Sequence, residues 1–275
     1  MNNRLKSFFA FIAVAITFTN CTKNDDTSPD QTPEKPIVEN LIKSIEITEQ
    51  NQGAVTKNKV DFSYDSKNRV TEIKNLNNEN LKYEYTATSL VVSATNKVTG
   101  AINKHTFTLN PKTNSAQSLQ TEQQGFQNNP LDNNVFEYTE KNQLESIIFN
   151  SNNTVIDRET ILWSDDDIYP IAILNNYGQE VVTFKPSLFL NNASFDLNTL
   201  ICTYPNHTNP RYAIYSNNLG EKAKYLIMND YTGIATYKYD FSTNAKGLIE
   251  KINIEKTKLS DKTQKTTTTY TISYN

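Results

Sequence analysis

The chain has 275 residues and a formal net charge of −3. Nucleic-acid binding requires a basic surface, so this mild acidity excludes that class of partner. The composition combines 15 Tyr and many Thr and Asn residues with only 7 Gly. Because Thr and Tyr favour strands and Asn favours turns, it indicates many β-strands joined by polar turns.

The amino-terminal residues have the pattern of an export signal. Arg4 and Lys6 supply positive charge, and Ser7–Phe18 is an almost unbroken apolar run. About a dozen apolar residues are too few for a permanent membrane span, which needs about 20. A positive start followed by an apolar run of this length is typical of a secretory signal, which is predicted here for residues 1–20.

Cys21 directly follows this apolar region. The sequence Phe18–Cys21 resembles a lipobox, the site at which lipoprotein signal peptidase cuts, with Asn20 in place of the usual small residue. The resemblance implies cleavage before Cys21 and a lipid on this residue, which palmitate would label. The membrane is then a partner of the chain through that lipid. The alternative is a stray cysteine before an ordinary cleavage site.

Residues 21–39 are predicted to form a flexible tether. They contain three prolines and few apolar side chains, and therefore cannot bury enough surface to fold. Lys23, Asp25 and Asp26 resemble the short acidic signal that sends lipoproteins of the phylum Bacteroidota to the outer face of the outer membrane. The resemblance implies a lipid-anchored protein at the cell surface, with the periplasmic face as the alternative.

Residues 40–275 are predicted to form a single all-β domain, because apolar and polar residues alternate along them. Successive side chains of a strand point to opposite faces, so alternation marks half-buried strands. About sixteen candidate strands of 5–9 residues are separated by short polar turns, which leave no room for parallel crossovers. The predicted fold is an antiparallel meander of many short strands, forming a large curled sheet or a flattened barrel-like shell.

The alternation fits both a soluble shell with an apolar interior and a membrane barrel with an apolar exterior. Many candidate strands are shorter than the roughly 9–11 residues of a membrane-spanning strand. Lys and Glu also lie within a residue or two of many apolar positions. Together with the lipoprotein start, these features favour the soluble shell.

A hairpin unit recurs along the domain. Phe62–Ile73 aligns without gaps to Phe136–Ile147, and both contain an aromatic pair, a turn ending in Lys-Asn and a branched apolar residue. The dipeptides Lys67-Asn68 and Lys141-Asn142 are predicted to tolerate the left-handed backbone conformation of the turn. Tyr237–Leu248 repeats the pattern with a turn predicted to be three residues longer.

Two families resemble this pattern. Tyr64-Asp65 followed by Asn68-Arg69-Val70 resembles the YD repeat of Rhs-type surface proteins, whose hairpins spiral into a β shell. A closer resemblance is to Bacteroidota lipoproteins with a domain of unknown function described as porin-like. These share the lipidated start, the acidic Pro-bearing tether and repeated Tyr-x-Tyr hairpins. The resemblance implies a fold and a location, but no known activity and no catalytic residues.

Patterns for catalysis or cofactor binding are weak. His105 and His207 are the only histidines, and neither has a partner at zinc-ligand spacing. The chain has no Gly-x-Ser-x-Gly elbow, and seven scattered glycines cannot build a phosphate-binding loop. We therefore expect no cofactor, no metal and no catalytic site. A glycoside hydrolase that uses two carboxylates is the less favoured alternative.

One short segment is a candidate ligand site. Trp163 is close in sequence to Asp165, Asp166 and Asp167. The indole ring would stack on a sugar ring, and the carboxylates would accept hydrogen bonds from the hydroxyl groups of the sugar. The favoured interpretation is an inward strand residue followed by a solvated turn. The sequence as a whole predicts a non-catalytic envelope lipoprotein that serves as a binding or structural module, with a glycan or another envelope protein as partner. A glycan-binding accessory protein of a polysaccharide-uptake system is the alternative.

Overall fold

The computed structural model describes residues 40–123, 133–151, 154–166, 169–201, 208–229 and 235–275. The predicted signal and tether, residues 1–39, lie outside these ranges. The described residues form sixteen strands and two short helices, α1 (Asn198–Ile201) and α2 (Thr208–Tyr215). In chain order the strands are β1 (Ile42–Asn51), β2 (Ala54–Tyr64), β3 (Val70–Leu76), β4 (Glu79–Tyr85), β5 (Ser89–Asn96), β6 (Ile102–Leu109), β7 (Ala116–Gln123), β8 (Asn133–Tyr138), β9 (Leu144–Ser151), β10 (Thr154–Trp163), β11 (Pro170–Leu174), β12 (Glu180–Leu190), β13 (Tyr225–Asn229), β14 (Ala235–Thr243), β15 (Ile249–Lys258) and β16 (Lys265–Tyr274).

All of these strands belong to one antiparallel sheet, in the order β13-β12-β11-β10-β9-β8-β7-β6-β5-β4-β3-β2-β1-β16-β15-β14. Pairing of β1 with β16, for example Ile45 with Ile272, places the first and last strands side by side in the sheet. The two ends of the sheet, β13 and β14, are consecutive in sequence. Phe189 of β12, the strand next to β13, contacts Phe241 of β14, with ring centroids 5.3 Å apart. The predicted all-β meander is confirmed as a nearly closed, barrel-like sheet.

The apolar face of the alternation points into this shell. In β4, Leu81 and Tyr83 are buried, whereas Lys82 and Glu84 are exposed. Buried side chains from all parts of the sheet join one continuous core. This arrangement is the shell with an apolar interior that the sequence favoured. No helix in the described part of the chain is long and apolar enough to span a membrane.

Some strands are longer than the predicted 5–9 residues. Both β2 and β12 have 11 residues. The first six residues of β2 are all exposed, so no buried face marks them in the sequence. Alternation predicts only the part of a strand that covers the core.

A segment outside the sheet fills part of the interior. Residues 191–201 and 208–224, called here the insert, connect β12 to β13 and contain both helices. Phe195 of the insert is fully buried and stacks on Phe62 at a centroid distance of 5.4 Å. Tyr215 meets the Phe195 ring edge-on at 5.1 Å. The two helices were not predicted, because four and eight residues are too few to show a helical period.

Backbone hydrogen bonds fix the insert to the turns of the sheet. Glu221 N donates to Asn142 O at 2.7 Å, and Ala116 N donates to Asn218 O at 2.7 Å. Gly220 lies so close to the turn that a Cβ atom there would be 2.4 Å from Asn142 O. Its φ of +79° is also in the left-handed region. Only glycine satisfies both conditions at this position.

The turns of the two matching hairpins have the predicted conformation. Asn68 and Asn142 have φ angles of 60° and 61°, which confirms the left-handed position in each turn. Asp65 N donates to Arg69 O at 2.9 Å, and Thr139 N donates to Gln143 O at the same distance. The two turns therefore close with the same hydrogen bond.

The third hairpin has a turn of the same length, so the prediction of a longer turn was wrong. Asn244 N donates to Leu248 O at 2.9 Å, and Gly247 takes the left-handed position with φ of 75°. Phe241 therefore corresponds to Phe62, and Thr243 stands where Tyr64 stands in the first hairpin. The third unit thus keeps the turn and lacks the tyrosine.

Candidate functional site

Most inward tyrosines hold the shell together through their hydroxyl groups. Tyr64 Oη donates to Ile42 O at 2.8 Å, and Tyr138 Oη donates to Ala116 O at 2.6 Å. In both cases the acceptor lies 22 residues earlier in the chain. The same kind of bond joins Tyr83 to Tyr212 O, Tyr85 to Val70 O and Tyr274 to Ile249 O. Burial raises the pKa of Tyr64 and of Tyr138, which keeps these phenols neutral donors.

A second group of aromatic side chains lies where the two ends of the sheet meet. Tyr237, Tyr239 and Phe241 alternate along β14, with successive ring centroids 6.3 Å apart. The rings are close to parallel, at interplanar angles of 21° and 8°. Phe189 of β12 extends the line beyond Phe241. We call these four half-buried residues the aromatic row.

Polar groups surround the tyrosine end of the aromatic row. Lys256 pairs with Tyr237 across β15 and β14, and its Nζ lies 5.8 Å from the Tyr237 ring centre. Ile252 of β15 pairs with Phe241 on one side and with Tyr270 of β16 on the other. Tyr270 therefore lies on the same face of the sheet as the aromatic row. Burial, with a smaller contribution from the charge of Glu49, raises the pKa of Tyr270 to about 12. Aromatic faces, a cation and an anion thus share one inward surface.

The hydroxyl groups distinguish this surface from the anchored tyrosines. Within the described ranges, the Tyr237 and Tyr270 hydroxyls form no hydrogen bond with another residue. Both side chains are nevertheless half-buried and packed against the core. These two phenols therefore differ from the anchored tyrosines in lacking a carbonyl partner within the described ranges.

A small pocket in the insert is a weaker candidate. It has a volume of about 20 Å³ and is lined by Asp196 and Lys222, among others. Asp196 is buried and accepts hydrogen bonds from Asn191 Nδ2 at 2.6 Å and Asn198 N at 2.9 Å. Burial raises the pKa of Asp196 and lowers that of Lys222. A cavity of this size holds about one water molecule and is too small for a larger ligand.

Trp163 and the acids that follow it differ in exposure. Trp163 is half-buried against the core, and its Nε1 donates to Leu144 O at 2.9 Å. Asp165 and Asp166 are exposed in the following turn, and Asp167 lies outside the described residues. A glycan site at these residues remains a prediction.

The remaining residues singled out in the sequence are not part of this surface. The lipidation residue Cys21 and the export signal Lys23, Asp25 and Asp26 lie outside the described residues. His105 is buried, with its Nδ1 3.1 Å from Thr121 Oγ1. Burial lowers its pKa to about 4, so the ring is neutral. Within the described ranges, no three His, Cys, Asp or Glu residues lie together as potential metal ligands.

The sequence did not single out the aromatic row. Tyr237-Lys-Tyr-Asp-Phe241 has the same alternation as every other inward strand. What distinguishes it is the position of β14 at one end of the sheet, which depends on the non-local pairing of β1 with β16. Only the tertiary structure reveals that this Tyr-x-Tyr segment lies at an end of the sheet.

Comparison with known proteins shows a structural similarity but no matching sequence family. No protein-family model matches the chain, and no curated protein matches it. The crystal structure of a porin-like protein from Bacteroides uniformis is similar to this chain, with a TM-score of 0.61 and 17% sequence identity. The likeness covers 85% of this chain and 96% of that one. The lipoprotein start and YD-like hairpins remain predictions, but the chain has the fold of a porin-like protein.

Proposed function

We propose that this chain is a non-catalytic lipoprotein of the outer membrane whose β domain is a binding module at the cell surface. The observation that carries the proposal is the packed interior of the shell. Phe195 and Ala213 of the insert are fully buried in the same core as the sheet. A shell whose interior is filled by its own side chains is suited to binding a partner on its surface and not to conducting solutes through its centre.

The chemistry of the buried polar groups supports a non-catalytic role. Asp196 is held by hydrogen bonds from neighbouring residues of the insert, and His105 is kept neutral by burial. The porin-like neighbour supports a place in the cell envelope. Anchoring through Cys21 and export through Lys23, Asp25 and Asp26 complete the proposal.

The lipid anchor is tested by Cys21→Ala. We expect this variant to lose palmitate labelling and to move from the membrane fraction to the soluble fraction, because it lacks the acylated residue. Cys202→Ala is the matched control, since it removes the other cysteine of the chain and should remain labelled. A Cys21→Ala protein that still incorporates palmitate and stays in membranes contradicts the anchor.

The surface address is tested by replacing Asp25 and Asp26 together with Ala. We expect lipid labelling to persist while cleavage by protease added to intact cells decreases, because the acidic export signal is gone. Asp30→Ala, in the same tether, should behave like the wild type. If the wild type is cleaved and the double variant is cleaved equally fast, the two aspartates act only as linker residues.

A further inference from the structure

The outer face of the shell differs from one part of the sheet to another. Cross-strand pairs of opposite charge, such as Glu72 with Lys82 and Lys238 with Glu255, occur on both sides of β1. Strands β8–β12, which are neighbours in the sheet, have another character. Of the twelve large apolar side chains that are exposed in the described residues, nine lie between Val135 and Leu190. One side of the shell therefore carries most of its exposed apolar groups.

Three β-bulges contribute to this side. In each of β10, β11 and β12, one residue has no partner at the point where the register with the preceding strand shifts. An additional residue in a strand disturbs the alternation, so its side chain can leave the buried face. These three residues are Ile156, Ile171 and Val181, which are 59%, 37% and 49% exposed. All three are branched and apolar, although water at these positions favours polar residues.

The bulge residues lie among other outward apolar side chains. Val135 of β8 pairs with Ile148 of β9, and Leu162 of β10 pairs with Ala172 of β11. Cross-strand partners share one face of a sheet, so these pairs extend the apolar surface across neighbouring strands. We call the outer face of β8–β12 the apolar side, and its exposed members are Val135, Val155, Ile156, Leu162, Ile171 and Val181.

The ion pair on the apolar side is neutralised within the chain. Arg158 Nη2 contacts Glu137 Oε2, and Ser146 Oγ donates to the same oxygen at 2.6 Å. Ser146 is fully buried although it pairs with Glu137 on the outer face, because the two charged side chains cover it. Charged groups on a lipid-facing sheet are destabilising, so the apolar side is poorly suited to hydrocarbon. A protein surface accommodates such a neutralised pair.

The size of the apolar side matches one half of a protein interface. Its strands contain 6, 8, 10, 5 and 11 residues. At a rise of about 3.3 Å per residue and a strand spacing of about 4.8 Å, they cover about 600 Å² in projection. Side chains make the accessible area larger than this projection, and a stable interface buries about 800 Å² on each partner. Exposed Glu180 and Lys185 of β12 would form part of its polar rim.

We propose that the apolar side joins two copies of this chain in a symmetric dimer, with β8–β12 of one copy against β8–β12 of the other. Because Glu137 and Arg158 are paired within each copy, the surface needs no partner of opposite charge and is complementary to itself. Interfaces between identical subunits are the more apolar class and resemble a divided protein core. The dimer goes beyond the binding role proposed above and does not require the lipid on Cys21.

The test is sedimentation velocity of the full chain, both as the wild type in a density-matched detergent and as Cys21→Ala without detergent. We expect about twice the mass of one chain in both samples. Ile156→Glu and Val181→Glu should each raise the dissociation constant of the dimer by about 100-fold or more, because each places an unpaired charge in the interface. Both residues are exposed in one copy, so the urea midpoint of each variant should stay unchanged.

Val98→Glu is the matched control. Val98 is 84% exposed in the turn between β5 and β6, outside the apolar side, so this variant should dimerise like the wild type. A second measurement uses two differently tagged copies expressed in one cell. The two wild-type copies should purify together, and Ile156→Glu in both copies should separate them.

Two outcomes overturn the proposal. The first is a wild type that sediments as a monomer up to about 100 μM, a concentration at which a dissociation constant of about 1 μM would already give dimers. The second is a dimer that persists in both Ile156→Glu and Val181→Glu, which would place the contact on another face. Loss of the lipid anchor proposal leaves this one standing, because the wild type is measured as well as Cys21→Ala.

Discussion

Gly220→Ala is expected to lower the free energy of unfolding by about 2–5 kcal/mol. A left-handed backbone costs a residue with a Cβ about 1–2 kcal/mol, and overpacking adds about 1–3 kcal/mol or more. The new Cβ would lie 2.4 Å from Asn142 O and 2.9 Å from Tyr138 Cε1. Asn142 cannot easily move away, because its own amide bonds to Thr139 O and its carbonyl accepts from Glu221 N.

Gly247→Ala is the matched control for this substitution. Gly247 has a similar φ of +75°, but a Cβ there would meet nothing within 4 Å. Its replacement should therefore cost only the backbone strain of about 1–2 kcal/mol. Urea denaturation of both variants measures the difference. Equal losses of stability would mean that the insert does not approach the turn at Asn142.

Tyr64→Ala and Tyr138→Ala should each lower the free energy of unfolding by about 3–5 kcal/mol, as for other large buried aromatic side chains. Both rings pack against the core, and each hydroxyl bonds to a backbone carbonyl. The corresponding Phe variants keep the ring and lose the bond, so they should cost about 0.5–1.5 kcal/mol. Denaturant unfolding of the four variants separates the two contributions.

Lys67→Ala is the control for the first hairpin. Lys67 is exposed in the turn that follows Tyr64, so its replacement should change stability by no more than about 0.5 kcal/mol. Tyr64→Ala and Tyr138→Ala proteins as stable as this control would show that the two tyrosines line a surface open to solvent. They would then be candidates for ligand binding, and the distinction from Tyr237 and Tyr270 would be lost.

The sequence predicted those features that depend on neighbouring residues. Alternation identified strands such as β4, because each side chain's face depends only on its place in the strand. The left-handed turns at Asn68 and Asn142 followed from the tolerance of Asn for positive φ. The third hairpin was misaligned, since its Tyr-x-Tyr pair lies further from the turn than in the other two.

Features that depend on distant residues could not be predicted. The packing of Phe195 on Phe62 joins segments that are far apart in the chain, and no local pattern marks it. Trp163 is the only tryptophan in the sequence, but its indole N–H donates a hydrogen bond to Leu144 O within the protein. The aromatic row has no local signature, because Tyr237 and Tyr239 alternate like core residues and only the strand order places β14 at an end of the sheet.

Pairing of β1 with β16 also has a consequence for the kinetics of folding. Ile45 and Ile272 belong to nearly opposite ends of the described chain, yet they are direct cross-strand partners. Such a contact has a high sequence separation, and it cannot form before the chain between the two strands has been made. The domain cannot complete the middle of its sheet until its last strand is present. A chain that leaves the cytoplasm amino terminus first would therefore complete this sheet only after its last strand has followed, at its destination and not where it was made.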